Sequence, residues 1–122
     1  MEESILLSLK KLLGIDKEVT DFDMDLIIHI NSVFTILYQL GVGPSTPFVI
    51  TGETETWKDF LNDESMIALV KSYMYLKVRL VFDITTLTSG QVDAFKNQIA
   101  EFESRLNYMV DPPMPPLKEE ES

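Results

Sequence analysis

The sequence predicts an all-α protein: a small helical bundle of three long helices plus a short N-terminal helix, with a small β-prone loop or hairpin near residues 46–54. Three observations carry this expectation. Four segments repeat apolar residues at spacings of three and four, the pattern of a helix with a buried face. Gly14, Gly41, Gly43, Pro44 and Pro47 fall between those segments and Pro112 follows the last, where they end helices without kinking them. Only Phe48-Val49-Ile50 has the composition of a strand. At 122 residues, 45% of them hydrophobic, the chain has the length and apolar content of one domain.

The first helix is expected over residues 3–13, with Ile5, Leu6, Leu9, Leu12 and Leu13 on one side and Gly14 as a left-handed cap. A polar linker follows, in which Thr20, Asp21 or Asp23 is placed to cap the next helix by accepting its free N–H groups. That second helix should span about residues 23–40. Ile27, Ile30, Val33, Phe34 and Leu37 form its stripe, and Ile28, Ile36 and Leu40 widen it enough to require cover on more than one side.

After the Gly/Pro break and the β-prone run, Thr56-Trp57-Lys58-Asp59-Phe60-Leu61 reads as one helical turn capped by Thr56, with Trp57, Phe60 and Leu61 inward. The third long helix covers about residues 63–83, with Met66, Leu69, Val70, Tyr73, Leu76 and Leu80 on one face. Residues 84–90 form a Thr-rich connection. Val92, Phe95, Ile99, Phe102, Leu106 and Met109 then mark the last helix, which Asp111-Pro112-Pro113 stops. The core is expected to include Ile30, Phe34, Leu37, Leu69, Tyr73, Leu76, Leu80, Phe95, Ile99, Phe102 and Leu106. The division of the chain is therefore a helical body over residues 1–110 and a Pro-rich acidic arm over residues 111–122, too poor in apolar residues to build a core.

Charge and composition narrow the function. Ten Lys+Arg against twenty Asp+Glu give a net charge of -10, a field that repels phosphate and argues against specific nucleic-acid binding. With no Cys, disulfides, thiolate zinc sites and Cys nucleophiles are excluded. No apolar run reaches the ~20 residues of a membrane span, since Lys71, Lys77 and Arg79 interrupt the most apolar region. The acidic start is not that of a secretory signal, so a soluble, non-exported protein is expected.

The residues that invite a chemical reading are better explained structurally. Asp21-Phe22-Asp23-Met24-Asp25 alternates carboxylates, but an EF-hand loop would need Gly where Leu26 stands and Glu where Ser32 stands. His29, the single histidine, has no nucleophile motif to serve. Gly41-Val42-Gly43-Pro44 follows a helix and lacks the lysine of a phosphate loop. Neither catalysis nor a cofactor is expected. Lys71, Tyr75 and Arg79, at i, i+4 and i+8, form a basic and aromatic stripe that should pair with Asp or Glu on a neighbouring helix or subunit.

The order of these elements resembles a known family. Thr20-Asp21-Phe22-Asp23-Met24-Asp25-Leu26-Ile27-Ile28-His29-Ile30-Asn31-Ser32 followed by Gln39-Leu40-Gly41-Val42-Gly43 is similar to the head-tail connector, or adaptor, family of tailed bacteriophages and prophages. So is Trp57-Lys58-Asp59-Phe60-Leu61 followed by Val70-Lys71-Ser72-Tyr73-Met74-Tyr75-Leu76-Lys77-Val78-Arg79-Leu80. The resemblance spans roughly residues 4–111. It implies a structural protein of the virion head-tail junction, assembled in the bacterial host cytoplasm, with no enzymatic activity.

It further implies a ring of about a dozen copies beneath the portal protein, extending the DNA channel toward a tail-side stopper or completion protein. Residues 1–110 would be the connector body, with the arm docking on the portal. The candidate partner-binding residues are Pro112, Pro113, Met114, Pro115, Pro116 and Leu117 on the arm, and Lys71, Tyr75 and Arg79 on the stripe. Two alternatives at the level of residues are an acidic DNA mimic and a small helical protein-interaction module. A mimic needs carboxylates ordered along one exposed face, whereas these acids gather at linkers and helix ends.

Overall fold

The computed structural model describes residues 3–82 and 86–110. Its elements are α1 (Ile5–Leu12), α2 (Asp23–Gln39), α3 (Trp57–Phe60), α4 (Glu64–Phe82) and α5 (Ser89–Val110). The fold is all-α, as the spacing of apolar residues predicts. α4 packs against both α2 and α5, and α1 leans on α2.

Being covered on two sides explains which α4 residues are buried. Met66, Val70, Tyr73 and Leu76 of the expected face are buried, and so are Met74 and Val78, which that single face leaves out. Leu69 and Leu80, expected in the core, are only partly buried. A helix between two neighbours divides its apolar residues between two faces, and one stripe describes only half of it.

Local signals at the helix ends are realised with one exception. Ser4 caps α1 by accepting from the Leu7 amide at 3.2 Å, and Gly14 takes φ +80° just beyond the helix, where an L side chain would be strained. Thr56 and Asp59 form a reciprocal capping box around α3. Thr88 and Gln91 do the same before α5, Gln91 N donating to Thr88 Oγ1 at 3.1 Å and Thr88 N to Gln91 Oε1 at 3.0 Å. The exception is α2. Its N-cap is Phe22, which makes no side-chain cap bond; none of Thr20, Asp21 and Asp23 caps it, because Asp23 is already inside the helix and is turned toward Lys10.

The β-prone run is an extended loop, the other alternative of a hairpin not being formed: among the described residues the one β-bridge joins Ser4 to Thr56. Around it, Ile5 N donates to Glu55 O at 3.0 Å and Trp57 N to Glu3 O at 3.2 Å, tying the start of α1 to α3. The loop is held to α2 by Asn31, whose Nδ2 donates to Ile50 O at 3.0 Å while its Oδ1 accepts from Ile50 N at 2.8 Å. One amide side chain thus replaces the strand partner that the Ile50 backbone lacks.

Beneath the loop, Phe34 meets Phe60 at 4.7 Å and Phe48 at 5.1 Å between ring centroids. Trp57 is buried beside them and donates through Nε1 to Ser8 Oγ at 2.9 Å, so its one polar atom is satisfied in the core.

α5 is the least buried of the long helices. Ile99 and Leu106 are buried, while Phe95 and Phe102, expected in the core, are partly buried and Met109 is exposed. The apolar stripe is placed on the correct side, but the helix has only α4 as its main support. Likewise Ile28 of α2, expected to widen the covered face, is 55% exposed, and Leu26, outside the expected stripe, is fully buried.

Candidate assembly surface

The stripe on α4 is engaged within the chain. Lys71 Nζ forms an ion pair with Glu3 Oε1 and stands 5.9 Å from the Trp57 ring centroid. Both groups are partly solvated, which limits the pair to a small contribution. Arg79 Nη1 donates to Tyr75 OH at 2.8 Å, and its guanidinium lies 5.3 Å from the Phe95 ring centroid. The cation thereby bridges α4 to α5 over an aromatic face. For Lys71 the expected carboxylate is found, on the segment ahead of α1; Arg79 additionally rests on rings, a partner type that charge pairing does not anticipate.

Lys71 and Tyr75 also line an apolar groove of about 520 Å³ between α1, α4 and α5, together with Leu12, Leu76 and Phe102. Periodicity hides this groove. Leu12, half exposed, and Phe102, partly buried, come from helices far apart in sequence, and only the way α1 and α5 flank α4 brings them together.

A second apolar area lies where α2 begins and α4 ends. Phe22, Met24, Ile28 and Val81 are all substantially exposed there. Phe22 and His29 each meet the Phe82 ring edge-on, at 5.9 and 6.0 Å between centroids. His29 shares a shallow cavity with Asp25, Phe22, Val81 and Phe82. It is therefore a partly buried residue of an apolar rim. The visible signal was the presence of Phe22 and Met24 outside the α2 stripe.

Of the acidic run, Asp23 faces Lys10 Nζ at 2.8 Å. Among the described residues no group of three or more His, Asp or Glu is gathered as a metal site. No described helix is long and apolar enough to cross a membrane. The arm residues Pro112, Pro113, Met114, Pro115, Pro116 and Leu117 lie outside the described residues.

Two groups have displaced proton affinities. Burial of Tyr73, then the hydrogen bond and negative charge of Glu103, whose Oε2 accepts from Tyr73 OH at 2.7 Å, hold the phenol well above its ordinary value. Burial pushes the Glu55 carboxyl up, but donation from the Thr51 hydroxyl and from backbone amides, Thr51 and Gly52 among them, outweighs it and lowers the value overall. Both bonds are structural ties, one between α4 and α5, the other closing the turn at Gly52.

No curated protein and no solved structure matches the chain. A family model does: the one described as phage connector protein matches residues 5–113, from the first residue of α1 past the end of α5. The match takes in all five helices and the loop pinned by Asn31, and the chain belongs to the phage connector protein family.

Proposed function

We propose that this chain is the head-tail connector of a tailed phage or prophage, a structural adaptor that forms a ring of about a dozen copies under the portal protein and extends the DNA channel to the tail. Membership of the connector family is the observation that carries this reading. In it the chain contacts copies of itself, the portal, and a tail-side stopper or completion protein. It acts at the virion head-tail junction after assembly in the host cytoplasm, without catalysis and without a cofactor.

The physical chemistry supports the same reading. A net charge of -10 weakens phosphate contacts, so a polyanion can pass a ring of such subunits without being held. Phe22, Met24, Ile28 and Val81 at one end, and Tyr108 and Met109 near the end of α5, are exposed apolar side chains suited to burial between subunits. The body over residues 1–110 provides those surfaces. The arm over residues 111–122 and the stripe of Lys71, Tyr75 and Arg79 provide contacts to partners.

Size-exclusion chromatography with light scattering, on the chain alone and mixed with the portal protein encoded in the same genome, tests the proposal. A ring-sized species, alone or on the portal, is expected. A chain that stays monomeric at every concentration and never co-migrates with the portal overturns it.

A further inference from the structure

α2 is apolar on more than the side it buries. Leu26, Ile30, Val33, Phe34 and Leu37 are buried in the body, where the helix packs on α4 and α1. Met24, Ile28, Ser32, Thr35, Tyr38 and Gln39 form an exposed stripe along the opposite side. A helix with large apolar residues on both sides needs cover on both.

The stripe can be buried at little cost. From Leu26 to Gly52 the sequence holds no Lys, Arg, Asp or Glu, in a chain of which 25% is charged. Such depletion of charge is the mark of the fully buried part of an interface. The two hydroxyls at the centre of the stripe are satisfied by the helix itself, Ser32 Oγ donating to Ile28 O at 3.1 Å and Thr35 Oγ1 to Asn31 O at 3.1 Å. Covering them strands no donor.

Charge also selects the occupant. At a net charge of -10, two copies repel wherever their acidic surfaces meet. A basic partner would be met by carboxylates, and beyond Asp25 this stripe has none. An uncharged face is the place where an equally acidic protein can approach, and a second copy of the chain is such a protein.

The same argument sets the orientation. Asp21 and Asp25 stand exposed at the start of α2, and parallel packing would press them against their counterparts. Antiparallel packing about Ser32 leaves each Asp25 seven residues from the axis, so the two lie about 21 Å apart along the helices. That exceeds the screening length of about 8–10 Å. It also brings Ile28 over the partner's smaller Thr35, and Asp25 beside the amide of the partner's Gln39.

We propose that the outer face of α2 pairs two copies of this chain, antiparallel about a two-fold axis at Ser32. The contact goes beyond the ring reading, because a two-fold contact closes on two copies and does not propagate round a ring. A ring uses other surfaces.

With no native Cys, single cysteines in the full chain test the pairing directly. Under mild oxidation Ser32→Cys should give a covalent dimer joined at position 32. Asp25→Cys should not link to itself but should link to Gln39→Cys in a mixture of the two. Without oxidation, light scattering should show a dimer whose dissociation constant rises at least about tenfold in Ile28→Lys and barely moves in Ile28→Leu. The Lys variant should keep the parent's helical content and thermal midpoint, since the position is exposed. Added salt should tighten the dimer by screening the repulsion between copies.

A chain that stays monomeric at every concentration, a dimer that salt weakens, or Asp25→Cys linking to itself faster than Ser32→Cys overturns the pairing. A monomeric parent whose co-migration with the portal is lost in Ile28→Lys gives the stripe to the portal, and the pairing fails. If rings form while Ser32→Cys never links, the pairing fails and the ring reading stands. If Ser32→Cys links but no ring forms with or without the portal, the ring reading fails and the pairing stands.

Discussion

Lys10 Nζ lies 2.8 Å from Asp23 Oδ1 in a position without solvent exposure, and it also donates to Val19 O at 2.6 Å and Lys17 O at 3.2 Å. The ammonium thus donates to two carbonyls of the linker after α1 and forms an ion pair with the first residue of α2. This contact fixes the angle at which α2 leaves the linker, a role that a side-chain cap would otherwise share. Lys10→Ala should destabilise the fold by about 3 kcal/mol, because it leaves the carbonyls and a partly buried carboxylate without their cation. Chemical denaturation of the variant measures the loss, and a change under about 1 kcal/mol would show that water replaces the ammonium at little cost.

Gly43 sets the approach of the loop to the core. Its φ of +97° disfavours any L side chain, and a Cβ there would stand 2.4 Å from Phe60 Cε1, a ring held between Phe34 and Phe48. Gly43→Ala combines backbone strain with overpacking and should cost about 2–4 kcal/mol. Gly14→Ala, at φ +80° with open space around the added methyl, should cost only the strain, about 1–2 kcal/mol. Equal thermal shifts for the two would contradict the Phe60 contact.

Two residues one turn apart on α5 separate what periodicity reveals from what it cannot. Phe102 and Leu106 belong to one stripe and are equivalent in sequence, yet Leu106 is fully buried against α4 while Phe102 borders the groove. Leu106→Ala should therefore cost about 3 kcal/mol and Phe102→Ala less, about 1–2 kcal/mol, despite the larger side chain removed. Urea denaturation of the two variants gives the order; a larger loss at Phe102 would mean that the groove is closed.

The helices were legible because their apolar spacing and their stops are local properties. Residues 23–40 and 63–83 predict α2 and α4 to within a residue or so at each end. The start of α5 at Ser89 was missed, although Thr88 and Gln91 carry the capping-box spacing, because the Thr-rich run reads as a connection. What stayed hidden depends on neighbours. Val42 and Ile50, buried from a loop, have no periodicity to betray them, and the hold of Asn31 on Ile50 joins residues nineteen apart. The groove was half visible: Lys71 and Tyr75 stood out as a stripe, but nothing in the spacing of Leu12 or Phe102 says that α1 and α5 flank it.

Tyr73 ties α4 to α5 in a way that pH can report. Its ring is buried and its hydroxyl donates to Glu103 Oε2 at 2.7 Å, a geometry that favours the neutral phenol in the folded chain. The folded-state value is raised above the ordinary one near 10, so the stabilisation is complete below pH 10 and declines as pH climbs from there toward the folded value. Unfolding releases the phenol to ionise, and the midpoint of denaturation should fall with rising pH above 10. Tyr73→Phe should remove part of that alkaline dependence while costing about 1–2 kcal/mol at neutral pH through the lost bond to a charged acceptor. Urea titrations at pH 7, 10 and 11 on both proteins provide the comparison. Parallel pH profiles would place the alkaline sensitivity elsewhere and leave the Tyr73 to Glu103 bond as a purely structural tie.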